Sequence, residues 1–212
     1  MPKPLPSPLD EHGSWDAVYR NTKPEDLPWN AGGPDPELVH IVESGKIAPC
    51  RALDLGAGPG HDAIFLAKKG FKVLAVDISP AALELAKANA ARAGIGAALD
   101  YRVENVLRLS LPPQTAGFIN DRGCFHTLAP AERAIYIEKA SGVLALGGRL
   151  FLRVFSDKEP PGPGPYRFSR RELEDLFSPK FAFLEFGEGI FEGPRKPKAY
   201  LCLLEKKPEP PR

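Results

Sequence analysis

A chain of 212 residues with 43% hydrophobic content is long enough to bury one sizeable core, and its composition excludes collagen-like, membrane-spanning and disordered classes. Lys+Arg 28 against Asp+Glu 27 leaves a formal charge of +1, without the electrostatic footprint of a nucleic-acid binder. Cys50, Cys124 and Cys202 are an odd, widely spaced set with no CxxC pair, so neither a disulfide framework nor a structural zinc site is expected.

The chain opens on "MPKPLPSPLD", a polyproline-like run with no apolar signal core, so residues 1–12 are expected as a flexible tail on a cytoplasmic protein. Next, "WDAVYRNTKPEDLPWNAGG" holds both tryptophans in a stretch too rich in Pro, Gly and Asn for a core. Trp15 and Tyr19 are spaced to share the apolar face of a docking helix, whereas Trp29 stands in a loop between Pro28 and Gly32.

From residue 51 short apolar runs alternate with helical ones, the order that builds a parallel sheet covered by helices. "RALDLG" is a strand, "HDAIFLAKKG" a helix closed by Gly70, and "FKVLAVD" a strand ending at Asp77. "SPAALELAKANAARAG" is a helix with Ser79 as N-cap, Pro80 at its first position and Gly94 at its end. Strands follow in "ALDYRVEN" and "GFINDRG", then a helix in "AERAIYIEKASGVLA" and a strand in "GGRLFLRVF". Past the loop "KEPPGPGPY" comes the helix "SRRELEDLF". "FAFLEFGEGIF" and "KAYLCLLEK" close the chain, joined too briefly to pair in parallel, so an antiparallel hairpin is expected. One domain is expected over 13–206, with a second flexible tail at 207–212.

"LDLGAGPGHD" sets Gly56, Gly58 and Gly60 between a strand and a helix, where a backbone without Cβ admits a ligand to the free N–H groups of the helix start. Asp77 and Ile78 end the next strand, about twenty residues on, from where a carboxylate reaches ribose hydroxyls. A dinucleotide fingerprint would need a small residue at position 61, and the chain has His61; the spacing is G-x-G-x-G preceded by Asp54.

This ordered set resembles the class I S-adenosylmethionine-dependent methyltransferases. "W-x-x-x-Y", "PWNAGGPDPEL", "GAGPGHDAIFLAKKGFKVLAVDISPAAL", "NDRG" and "GPGPY" together resemble the thiopurine, halide and thiol methyltransferase superfamily across nearly the whole chain. The resemblance implies an α/β, Rossmann-like, doubly wound, mostly parallel seven-stranded sheet with the C-terminal hairpin. It implies S-adenosylmethionine as cofactor, with Trp15, Tyr19 and Trp29 as an aromatic lid whose π-faces attract the sulfonium. Gly56 would lie under the methionine moiety, Asp77 at the ribose, Asn105 and Val106 at the adenine, and Asp121 beside the amino-acid part. Asn105 departs from the Asp common at its position, though an amide oxygen still accepts from the adenine amine. Asp54 would orient the loop, and Asp62 would favour a helix start through its dipole.

Methyl transfer is an in-line displacement at carbon that needs no metal, and the protein supplies orientation, desolvation and a ready nucleophile. The resemblance makes Arg122 of "DRG" the substrate-facing cation and Tyr166 of "GPGPY" the tyrosine near the transferred methyl. Arg122 paired to a carboxylate for structure, and Tyr166 as a packed loop aromatic, are the alternatives. Cys124 is expected as a small buried residue, and His126 at a helix start as packing more than as a general base. His12, His40 and His61 lack partners at metal-ligand spacing. The function expected is methyl transfer to a small soft nucleophile, a thiol or thiopurine-like sulfur with halide as neighbour, by a monomer or weak homodimer with neither nucleic acid nor membrane as partner. An O- or N-methyltransferase, or a non-catalytic S-adenosylmethionine-binding protein, is the alternative.

Overall fold

The computed structural model describes residues 13–162, 164–193 and 195–208. Its elements are α1 (Gly13–Asn21), α2 (Pro36–Glu43), β1 (Arg51–Leu55), α3 (His61–Lys68), β2 (Lys72–Asp77), α4 (Pro80–Arg92), β3 (Leu99–Val103), β4 (Ala116–Arg122), α5 (Pro130–Val143), β5 (Leu144–Ser156), β6 (Arg167–Phe168), α6 (Arg170–Phe177), β7 (Phe181–Ile190) and β8 (Lys198–Lys206). The sheet order is β3-β2-β1-β4-β5-β8-β7, with the two-residue β6 beside β5 as the one strand the sequence did not announce. The strands β1 to β5 pair in parallel, while β8 runs antiparallel to both β5 and β7. Strand alternation splits the core between two faces. Leu53, Ile119, Leu150, Leu152 and Leu204 pack with Tyr136 of α5 and Phe177 of α6. Ala52, Phe118, Phe151 and Leu203 pack on the other face with Leu38 and Ile41 of α2, Leu66 of α3 and Leu83 of α4.

Local chemistry sets the element ends. The Ser79 hydroxyl accepts from the Ala82 N–H at 3.1 Å, and Pro80 fills the first helical position of α4. Asp16 of α1 reinforces the same end, accepting from Ser79 Oγ at 2.9 Å and from the Ala81 N–H at 2.8 Å, which docks α1 onto α4. The helix expected to reach Ala145 stops at Val143, because Leu144 turns extended and pairs with Ala116 as the start of β5. The expected tail at 1–12 lies outside the described residues. At the other end the order runs past 206, since the Lys207 N–H still donates to the Lys180 carbonyl at 2.9 Å.

Helix α2 went unannounced, although "DPEL" spells its start. The Asp35 carboxylate accepts from the Glu37 N–H at 2.8 Å and the Leu38 N–H at 3.3 Å, with Pro36 at the first helical position. The same carboxylate, 1% exposed, takes Arg122 Nε at 2.9 Å and pairs with Arg153 Nη1. Register explains the need: Arg122 and Arg153 are direct partners across β4 and β5, so two guanidiniums project side by side on one face of the sheet. Replacing Asp35 by Ala removes their shared counter-charge as well as the helix cap. Urea unfolding should show about 3–5 kcal/mol lost, the scale of a broken buried ion pair, and Arg153→Met in the same chain should return part of it.

Candidate active site

The parallel strands end at a cavity of about 400 Å³, on the crest where ligands of open α/β sheets sit. Its floor is the β1–α3 turn. Gly56, Gly58 and Gly60 all have positive φ (+68°, +50° and +77°), and the Gly56 and Ala57 N–H groups donate to the Val76 carbonyl at 2.8 and 3.0 Å, tying the turn to β2. The three glycines serve different contacts. A Cβ on Gly56 would fall 2.8 Å from the Cys124 Cβ, one on Gly60 2.8 Å from the Ala86 Cβ, and one on Gly58 2.7 Å from the Tyr19 hydroxyl. Gly56 and Gly58 line the cavity, whereas Gly60 stands behind it and lets α3 approach α4.

Asp77 lines the cavity at the end of β2, with Ile78 beside it. Its carboxylate accepts from the Gly58 N–H and the Ser79 N–H, both at 2.9 Å, which leaves lone pairs on both oxygens. Burial raises its pKa against these bonds. Asn105 and Val106 line the neighbouring wall; the Asn105 Oδ1 accepts from the Leu107 N–H at 2.8 Å.

The three N-terminal aromatics form one cluster. Trp29 sits edge-on to Trp15 at 5.7 Å and to Tyr19 at 5.9 Å, and its indole N–H donates to the Tyr19 hydroxyl at 2.9 Å. All three line the cavity. Burial, then the Asp77 carboxylate, push the Tyr19 phenol well up. The segment is pinned further by His61 Nε2, 2.9 Å from Asn30 Oδ1.

Beneath the lid lies a buried polar network that alternation makes possible. Asp54, Asn120, Arg122 and Arg153 all stand on the α2 face of β1, β4 and β5. The Asn120 amide donates to Asp54 Oδ1 at 2.8 Å and to Asp62 Oδ2 at 3.2 Å, holding two carboxylates together, while Asp62 Oδ1 accepts the Asp35 N–H at 2.7 Å. Burial first, then the Asp62 charge, raise Asp54 well above the usual carboxylate range. Asp121 alternates to the other face. Its carboxylate accepts from Tyr136 Oη at 2.6 Å and from the Cys124 and Phe125 N–H groups at 2.7 and 3.0 Å, so it braces the strand end from below and is absent from the cavity wall. Burial lifts it to about 6.

In the same network, Arg122 Nε is held by Asp35 and Nη1 donates to the Trp29 carbonyl at 3.1 Å, leaving Nη2 buried without a hydrogen-bond partner. His126, Phe155 and Phe191 form an aromatic corner beside it, with centroids 4.8 to 5.4 Å apart. The His126 Nδ1 accepts the Phe155 N–H at 3.1 Å, and burial followed by the Arg122 charge depresses its pKa to about 3. Burial pushes the Cys124 thiol well up, so it stays protonated. Tyr166 is not brought to the wall: it is 44% exposed, with the Arg133 guanidinium 4.8 Å from its ring. The sequence reading missed Asp35, Arg153 and the Phe155–Phe191 corner; an arginine inside the apolar "FLRVF" was the available signal for Arg153.

These residues fit S-adenosylmethionine. Asp54 Oδ2 is buried, lacks a hydrogen-bond partner and belongs to a cavity-lining residue, as suits an ammonium group; Asp77 keeps acceptor capacity for a diol; the indoles of Trp15 and Trp29 suit a sulfonium.

A family model described as a methyltransferase domain matches residues 52–148. The chain is 30% identical over 170 residues to a 2-heptyl-1-hydroxyquinolin-4(1H)-one methyltransferase of Mycobacteroides abscessus, covering 77% of this chain and 74% of that protein. It is 28% identical over 152 residues to a probable thiol methyltransferase 2 of Arabidopsis thaliana, covering 72% and 67%. The fold matches the Burkholderia thailandensis 1,6-didemethyltoxoflavin-N1-methyltransferase, solved with 1,6-didemethyltoxoflavin and S-adenosylhomocysteine, at a TM-score of 0.73 and 21% identity over 98% of this chain and 94% of that one.

The buried imidazole gives stability a sign with pH. Unfolded, His126 takes a proton below its ordinary value of 6.5; folded, it resists until about 3. Its contribution is therefore complete above 6.5 and is lost as pH falls through that window. The difference in melting temperature between the wild type and His126→Phe should shrink steadily from about pH 7 toward pH 4; a pH-independent difference would show that the ring titrates normally in the folded protein.

Proposed function

The chain belongs to the S-adenosylmethionine-dependent small-molecule methyltransferases, and from that premise we propose that its acceptor is a small, soft nucleophile that arrives ionised: a thiol or thiopurine-like sulfur, with halide as the neighbouring possibility. Bound S-adenosylmethionine supplies a methyl group on a sulfonium, electrophilic enough for direct transfer. The chain's own residues then have three tasks.

The first is holding the cofactor. Asp77 offers acceptor oxygens at the end of β2, Asp54 offers an unpaired carboxylate oxygen, and Trp15, Tyr19 and Trp29 cover the sulfonium end and exclude water. The second is gathering the acceptor, for which Arg122 Nη2 is available. The third would be removing a proton, and neither His126 nor Cys124, the titratable side chains next to Arg122 in the turn after β4, is a competent base. His126 has its Nδ1 lone pair occupied and is depressed to about 3, and Cys124 is held protonated. The unpartnered guanidinium nitrogen of Arg122, beside an imidazole and a thiol that cannot serve as bases, is the observation that supports the reading. A thiol with pKa near ~8.5 is already partly ionised at neutrality and needs no base.

A second reading draws on the Phe155–His126–Phe191 corner and on the quinolone-directed relative: an acidic hydroxyl on a flat heteroaromatic ring would also arrive ionised.

Two measurements test the proposal. Calorimetry should find one S-adenosylhomocysteine per chain, and Asp77→Ala should weaken it by about 1–3 kcal/mol, the scale of lost charge-assisted hydrogen bonds. A panel of thiols, heteroaryl thiols, iodide, acidic heteroaryl hydroxyls, catechols and amines should give methylated product with the sulfur acceptors foremost. Turnover of catechols or amines with every sulfur and halide acceptor inert would overturn the soft-nucleophile assignment.

A further inference from the structure

Taking this cavity as the site of transfer, we infer that Arg122 Nη2 and His126 Nε2–H act as a paired receptor for negative charge on the acceptor, and that His126 is a neutral donor that sets acceptor specificity and takes no proton. The acceptor class this selects is a delocalised anion such as a heteroaryl thiolate, in which a ring atom shares the charge of the sulfur.

Hydrogen bonding fixes both donors. Arg122 spends Nε on Asp35 and Nη1 on the Trp29 carbonyl, so Nη2 is the nitrogen left over. In His126 the Phe155 backbone N–H donates to Nδ1, so the proton of the neutral ring must sit on Nε2. Protonating the ring would set an Nδ1–H against that backbone N–H, donor against donor; the lone pair a base would need is thus already committed to the strand.

The two residues flank one turn and share one aromatic neighbour. They come from either side of Gly123, whose φ of +91° turns the chain at the end of β4, and a Cβ there would fall 2.9 Å from His126 Nε2. Gly123 therefore makes room for the imidazole next to the Arg122 backbone. Phe191 serves both groups: its ring lies 5.8 Å from the Arg122 guanidinium and 5.4 Å from the His126 ring. The Arg122 charge depresses the basicity of His126, as adjacency requires. All three residues line the cavity.

The physics of the reaction decides which charge they hold. An anion attacking a sulfonium loses its charge in the transition state, so donors placed on the attacking atom would stabilise the ground state and slow transfer. Donors on a second atom that shares the charge leave the sulfur lone pair free while still selecting the anion. Removing such a donor raises KM without lowering kcat in step.

The test uses 2-mercaptopyridine and the full-length enzyme. His126→Phe keeps a ring of similar shape and has no donor; it should raise KM by about tenfold, the scale of a hydrogen bond to a charged group, while kcat does not fall with it. His126→Asn, which keeps an N–H, should recover part of the loss. The pH profile of kcat/KM should follow the ionisation of the thiol, moving when a thiol of different acidity is used. With ¹⁵N-histidine labelling, the wild-type signal missing from His126→Phe should show the Nε2–H tautomer and no titration from about pH 5 to pH 8, and should shift when 2-mercaptopyridine joins the S-adenosylhomocysteine complex. A fall in kcat with loss of the pH-dependent limb, an Nδ1–H tautomer, or an unchanged KM would overturn the inference. These outcomes separate from the proposed function: wild-type enzyme inert toward all sulfur acceptors contradicts that function, whereas the tautomer and the ligand-induced shift read the donor pair without turnover.

Discussion

Two guanidiniums side by side in the interior of a sheet require an anion, and in this protein one carboxylate, that of Asp35, answers both. Arg122 and Arg153 are register partners on β4 and β5, and burial of Arg153 lowers its pKa only to about 10, so that group stays charged at neutrality. Asp35 reaches them because it is the N-cap of α2, whose apolar side, Leu38, Ile41 and Val42, packs on the same face of the sheet. Packing of one helix and neutralisation of two strand ends are thus one event. The cost of burying the three charges is offset only while all are present, so this corner is either fully formed or strongly destabilised.

That constraint propagates to the site by short steps. The Asp35 N–H engages Asp62, Asn120 joins Asp62 to Asp54, and Asp54 lines the cavity. In the other direction Asp35 fixes Arg122, which takes the Trp29 carbonyl, and Trp29 organises Trp15 and Tyr19 over the glycine turn. The aromatic cluster, the glycine turn and the Arg122 corner are therefore oriented from one point. Methyl transfer asks for this kind of arrangement, since most of what a protein can contribute is the angle and dryness of approach.

What could be read from the sequence follows the range of the interactions. The glycine turn, the strand ending at Asp77, the capped helix after Ser79 and the closing hairpin depend on residues near one another in the chain, and each was expected at its place in the sequence. The position of Asp121 was legible in principle: with Asn120 and Arg122 on one face of β4, the residue between them must face the other way, and it braces Tyr136. Gly60 was grouped with its neighbours by pattern, although its contact is with Ala86 of the next helix. Asp35 and Arg153 lie 118 residues apart, and no local signal joins them. Tyr166 packs against Arg133, from a helix more than thirty residues earlier, a contact that spacing could not announce.

The proposed transfer requires the cofactor to lie between the Asp54 carboxylate and the Trp15–Tyr19–Trp29 cluster, with its sulfur turned toward the corner of Arg122, His126, Phe155 and Phe191. A crystal structure of the S-adenosylhomocysteine complex tests this most directly. The expected result is the ammonium on Asp54 Oδ2, the ribose on Asp77 and the sulfur open toward Arg122 Nη2, with the Asp35 bridge to both arginines intact. A ligand whose sulfur faces away from that corner, or an Arg122 released from Asp35 to contact the cofactor itself, would contradict it.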